Sequence, residues 1–273
     1  MKRLIPKGCI KVAVLALALH GVALAAPPCA VTLTLDPATF SFFGTTVTGF
    51  QFAIGGCQYI LPQFAFGGGW YSALYFTNSN SFSVSFPVAF FADAGTRLSV
   101  PSVSGSSTTV TLDPQATTLI EAPDSGSLVQ GYVSTLLPIG VAAYGVFRQS
   151  VPGIADQEAV VPVSLAGTST ATLIWDDTNY TTAVAIVNPS NSAETVTITV
   201  SDVSGTLIGS SSVSLPPNGK TEAALRTLPG LGGMAGKRGS ASFTVIPGGS
   251  QSLAVLGLRF YGVAFTSIPV TAQ

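Results

Sequence analysis

Val196-Thr197-Ile198-Thr199-Val200 places three branched apolar side chains on one face and two threonines on the other. A period of two is the signature of a half-buried β-strand. The alternation returns in Val31-Thr32-Leu33-Thr34-Leu35, Phe82-Ser83-Val84-Ser85-Phe86, Thr108-Thr109-Val110-Thr111-Leu112 and Ser211 to Leu215. Turn formers stand between such runs: Asp93-Ala94-Gly95, Asp113-Pro114, Pro138-Ile139-Gly140, Pro216-Pro217-Asn218-Gly219 and Pro247-Gly248-Gly249. Many short strands punctuated in this way predict an all-β sandwich or barrel. The stretch from Lys220 to Arg226 reads equally as helix or strand.

The chain also repeats itself. Ala73-Leu74-Tyr75-Phe76-Thr77-Asn78 lines up with Ala183-Val184-Ala185-Ile186-Val187-Asn188, and Asp93-Ala94-Gly95-Thr96 with Asp202-Val203-Ser204-Gly205-Thr206. Further on, Val110 to Pro114 matches Val213 to Pro217, Gly145-Val146-Phe147-Arg148 matches Gly257-Leu258-Arg259-Phe260, and Val160 to Val163 matches Thr266 to Val270. Each unit has about 100 residues, the size of an immunoglobulin-like sandwich. The expected fold is all-β: two tandem antiparallel immunoglobulin- or fibronectin-III-like sandwiches, residues 58–165 and 170–273, the second able to fold alone. Ala166-Gly167-Thr168-Ser169 reads as a small, polar linker between them. Residues 26–57 form an N-terminal extension with strands at Val31 to Leu35 and Thr46 to Ile54. It is too short to hold a core, so pairing with an edge of the first unit is expected.

Composition narrows the function. The 273 residues hold 11 basic and 12 acidic side chains, 29 Gly and 18 Pro, and 47% are apolar. Disorder needs low hydrophobicity with high net charge, collagen a strict glycine period, and nucleic-acid binding a basic face. None of these fits. Lys2, Arg3, Lys7 and Lys11, the apolar Val12 to Val22 and the site Ala23-Leu24-Ala25 read as a signal peptide over residues 1–25. Its apolar part is too short to span a bilayer, which takes about 20 residues. The chain is therefore expected to be secreted, periplasmic or on the cell surface, and not membrane-spanning after cleavage. Removing the peptide takes away four basic residues and no acid, leaving 7 − 12 = −5.

Cleavage also removes Cys9 and His20, the only histidine. A Ser-His-Asp triad, a Cys-His pair and every His-ligated metal site are thereby excluded. Cys29 and Cys57 remain, and in an oxidising compartment an even pair predicts a disulfide. A loop of that length stabilises by roughly 3 kcal/mol in the chain-entropy model.

Gly68-Gly69-Trp70, the strand ending Thr77-Asn78, Gly145 to Arg148, and Asp156-Gln157-Glu158-Ala159-Val160-Val161-Pro162-Val163 together resemble a group of secreted bacterial β-sandwich repeat proteins of unknown function. The resemblance covers about residues 58–165, and the second unit more loosely. It implies exported tandem sandwiches and carries over no activity.

Catalysis without histidine would rest on carboxylates. Asp156 with Glu158, and Asp176 with Asp177, are the tight clusters, and adjacent residues on a strand point to opposite faces. They read as loop solvation. Calcium shared across the linker is not expected, since at ~3.3 Å per residue Glu158 lies about 20 Å from it and Asp176 a similar distance on the other side. A local site at Asp176-Asp177-Thr178-Asn179 competes with ordinary Asx-turn chemistry. No metal or cofactor is assigned. Trp70 and Trp175 read as sugar-stacking platforms or as core, and Arg148 and Arg259, in matched places, as structural or ligand-anchoring. Asn179-Tyr180-Thr181 fits a glycosylation sequon.

The sequence reading is an exported, non-catalytic structural or adhesive interaction protein, whose partner is a protein or glycan at the cell surface. The alternative is a carbohydrate-binding module, which needs an exposed row of aromatics on one sheet face. A carboxylate-based enzyme comes third, an outer-membrane barrel fits poorly with the low charge, and a pilus-assembly chaperone lacks its basic cleft.

Overall fold

The structure, a computed structural model, describes residues 34–42, 45–53, 57–247 and 251–272, the first two stretches as backbone. Among these residues the chain is all-β, every pairing is antiparallel, and the only helical pieces are short 3₁₀ turns. No helix of the described residues is long and apolar enough to cross a membrane. The signal-peptide reading and Cys29 lie outside the described residues.

In the first unit β10 (Gln157–Pro162), β9 (Val141–Gln149), β4 (Trp70–Asn78) and β7 (Thr117–Ala122) form one sheet in that order. Its companion runs β11 (Ser164–Leu165), β3 (Cys57–Phe66), β8 (Val129–Leu137), β5 (Val84–Ala92), β6 (Ser107–Leu112). The second unit repeats both orders. Its sheets are β19 (Ala264–Ile268), β18 (Ala254–Tyr261), β13 (Thr181–Val187), β16 (Lys220–Ala224), and β20 (Val270–Ala272), β12 (Thr170–Asp176), β17 (Arg238–Val245), β14 (Glu194–Asp202), β15 (Leu207–Leu215). The sequence repeat is thus a repeat of topology. Lys220 to Ala224 is strand, and Leu225 to Thr227 a single 3₁₀ turn.

The four sheets are set as a propeller-like ring rather than as two clearly separate sandwiches. The physical reason lies in the strands β13 and β18. Ala183-Val184-Ala185-Ile186-Val187 abandons the period of two, as strands covered on both faces do. Val184, Ile186 and Val255 face the second unit's own core with Trp175, Ile198 and Phe243. Ala185, Leu256, Leu258 and Phe265 point the other way and join the first unit's core with Leu61, Phe147 and Val161. A smaller cluster of Ile60, Tyr132 and Ala166 with Val187 and Ala254 completes the contact.

The boundary is a packed seam. Ala166 is buried, Gly167 N–H donates to Ser252 Oγ at 3.0 Å, and Thr168 bridges to Leu253. The turn of Asp93 to Gly95 docks on the second unit: Lys220 N–H donates to the Asp93 carbonyl at 2.9 Å. Gly95 has φ +82°, and a Cβ there would meet the Pro217 carbonyl oxygen at 2.1 Å, so only glycine fits. The Lys220 ammonium is fully buried between Asp93 (3.2 Å) and Glu222.

In the extension, β1 (Thr34–Phe42) and β2 (Thr45–Ala53) pair with each other and with no other described strand. The expected pairing with an edge of the first unit is absent there, and the free side of β3 is taken by β11 over Tyr59 and Ile60.

Candidate interaction surface

Strand β4 turns Leu74 and Phe76 inward and Tyr71, Tyr75 and Thr77 outward, as the pleat requires. Register then decides the neighbours. Tyr75 stands opposite Tyr144 and Leu119, Tyr71 opposite Arg148, and Val146 opposite Val160. Leu119, Tyr144 and Val160 are 45%, 44% and 46% exposed. The result is an apolar strip of tyrosines on the outer face of the β10-β9-β4-β7 sheet.

The rings are tied down. Tyr75 and Tyr144 stack with centroids 4.9 Å apart and planes 12° from parallel. The Arg148 guanidinium lies 4.5 Å over the Tyr71 ring and pairs with Asp156 at 3.3 Å through Nε. Tyr71 O–H donates to Glu121 at 2.5 Å. Burial, then that hydrogen bond and the negative charge of Glu121, push the Tyr71 hydroxyl up to about 12. Arg148 is therefore acid-paired, one of the structural roles read from the sequence.

The same face of the second unit has a different fate. Taking Ala73 and Ala183 as equivalent, Tyr75 corresponds to Ala185, Tyr144 to Leu256 and Val146 to Leu258. Those three are buried against the first unit. The pairing also corrects the matching of the arginines. Arg148 stands opposite Tyr71 and its counterpart is Phe260, opposite Thr181; the counterpart of Arg259 is the core residue Phe147. One residue of offset puts the two arginines on opposite sheet faces.

The remaining sequence candidates are dispersed. Trp70 packs on Phe147 (5.7 Å) and Phe265 (5.8 Å), and Trp175 is fully buried, so both serve as core. Asp176 caps its own turn, accepting from the Thr178 amide at 2.9 Å and from the Thr178 hydroxyl. Those bonds hold its carboxyl below the usual range, with desolvation opposing them and Arg238 and Arg259 adding a smaller pull. Asp177 turns inward, accepts from Thr182 N–H at 2.8 Å, and lies 3.7 Å from Arg226, too far for a hydrogen bond. The adjacent acids thus diverge, and among the described residues no three His, Cys, Asp or Glu side chains gather as a metal site. The tyrosine strip is not legible in the sequence, because Tyr75 and Tyr144 lie 69 positions apart and meet only through the β4–β9 register. No known protein family, curated protein or solved structure matches the chain.

Proposed function

We propose that the chain is an exported, non-catalytic interaction protein of structural or adhesive role, built from two immunoglobulin-like sandwich units, and that it engages a protein at the cell surface through the tyrosine strip. The carrying observation is the unequal use of one face: buried between units in the second, and in the first open at Leu119, Tyr144 and Val160 beside the half-buried Tyr71 and Tyr75. Tyrosine and arginine are enriched at protein interfaces, where rigid rings give contact area at low entropic cost. A carbohydrate-binding face needs ring faces open to a sugar. Here one face of Tyr71 is taken by Arg148, and Tyr75 and Tyr144 cover each other, which favours protein over glycan.

The test is retention of beads carrying the exported chain on cell envelopes, with and without protease treatment of the envelopes. Protease-sensitive retention is expected, falling at least tenfold in the double variant Tyr75→Ser, Tyr144→Ser. Equal retention by the variant would refute the assignment of this face, and protease-resistant, polysaccharide-competed retention would refute the protein partner.

A further inference from the structure

Strand β20 pairs with β12 only along Ala171 to Leu173, so no described strand pairs with Ile174 to Asp176 on that side. In the first unit the matching region is closed from outside, because Phe265 packs on Trp70 and Phe147. The second unit has no such plug, and at the register position of Phe147 it carries Arg259. A cavity of about 500 Å³ opens there, its wall including Trp175, Asp176, Asp202, Arg238, Arg259 and Ile268. That volume is within the ~300–1,000 Å³ of small-ligand sites.

The wall has a definite chemistry. Neither Arg238 nor Arg259 makes an ion pair with a described carboxylate; Arg259 rests on the Tyr180 ring, 4.6 Å from its centroid. A guanidinium presents a planar fork of donors that fits a carboxylate edge. Asp176 and Asp202 each commit one oxygen to their own turns, to Thr178 and to Ser204 and Thr206. The second oxygen of each is outside those bonds and can accept from a hydroxyl. Ile268 offers an apolar surface. A compact dianion such as phosphate would meet the two aspartates, and a neutral sugar would leave both guanidinium forks without a directly paired carboxylate.

We propose that this cavity binds a carboxylate-bearing sugar residue, a hexuronic acid, with its carboxylate on Arg238 and Arg259 and its hydroxyls on Asp176 and Asp202. It is separate from the tyrosine strip, which is on the other unit. A second unit that binds an acidic glycan while the first grips a protein would join two components of a cell surface.

Calorimetric titration of the full exported chain tests this with four probes: glucuronate, a galacturonate trimer, glucose and acetate. Glucuronate is expected to bind at least tenfold more tightly than glucose or acetate, and Arg259→Met to weaken it at least tenfold while the urea midpoint holds. If Arg259→Met fails to fold, the exposed Arg238→Met takes its place with the same expectation. A trimer binding tenfold more tightly than glucuronate identifies a polymer as the source, and equal binding a free sugar; both support the site. Acetate matching glucuronate, glucose matching glucuronate, no binding of either uronate, or full binding by the folded arginine variant would each overturn it.

Discussion

Phe265 of the second unit stacks on Phe147 of the first, ring centroids 5.1 Å apart and planes 25° from parallel. Trp70 and Phe260 close around the pair at 5.8 and 5.5 Å from Phe265. The first unit's core therefore ends on a side chain supplied by the second.

Removing that ring should be felt by both units. Phe265→Ala is expected to cost ~3–5 kcal/mol, the usual range for deleting a buried aromatic. Urea unfolding followed by tryptophan fluorescence should show one transition at a lower midpoint, because Trp70 and Trp175 report on different units. Two separated transitions, with Trp70 unmoved, would contradict the coupling.

The second unit expressed alone, residues 168–273, would expose Ala185, Leu256, Leu258 and Phe265 together. A contiguous apolar face of this kind drives association. The expected product binds a hydrophobic dye and sediments above its monomer mass, whereas a monodisperse, cooperatively melting fragment would show that the face is dispensable. This reverses the independence that the repeat alone suggests.

Lys220 offers a sharper contrast. Its ammonium is fully buried, while Asp93 and Glu222 are partly open to water. Taking away both acids by Asp93→Ala with Glu222→Ala strands a buried charge and should cost ~3–5 kcal/mol. Lys220→Met leaves two acids that water can reach and should cost less than about 1 kcal/mol. Chemical denaturation of the two variants gives the order directly.

Asp176 titrates below its usual range when folded, chiefly because the Thr178 hydroxyl and amide stabilise its charge. A depressed folded value adds stability above the unfolded value, ~3.9, and that stability is lost as pH falls through the folded value. Thr178→Val removes the hydroxyl bond. The melting temperature of the variant should therefore lie below that of the parent at pH 7, with the gap closing toward about pH 2. A gap constant across this range would dissociate Thr178 from the titration.

Cys57 opens β3 and Cys29 precedes the described residues. On protein produced from residue 26 onward in an oxidising compartment, which lacks Cys9, a thiol assay under denaturing, unreduced conditions should read zero and rise to two per chain after reduction. Two thiols before reduction would remove the bridge.

Strand content and repeat were legible because period-two alternation and turn residues are local signals. Val196 to Val200 became the centre of β14, and Ala73 to Asn78 and Ala183 to Asn188 became equivalent strands. The shared interior was legible only in hindsight: an unbroken run such as Ala183 to Val187 states that both faces are covered without saying by what. The arginine offset was hidden for a related reason. Both Gly-to-Arg stretches align within a residue by eye, yet in a strand one residue is a change of face. Asp177 reads as surface charge in sequence, and only tertiary structure sends it inward to Thr182.

Because β18 and β19 finish the interior of a unit built from much earlier residues, closure runs against the direction of synthesis. The first unit leaves the ribosome long before Leu258 and Phe265 can reach it. Until then the apolar face of Leu61, Phe147 and Val161 is bare, and the final strands act as the latch.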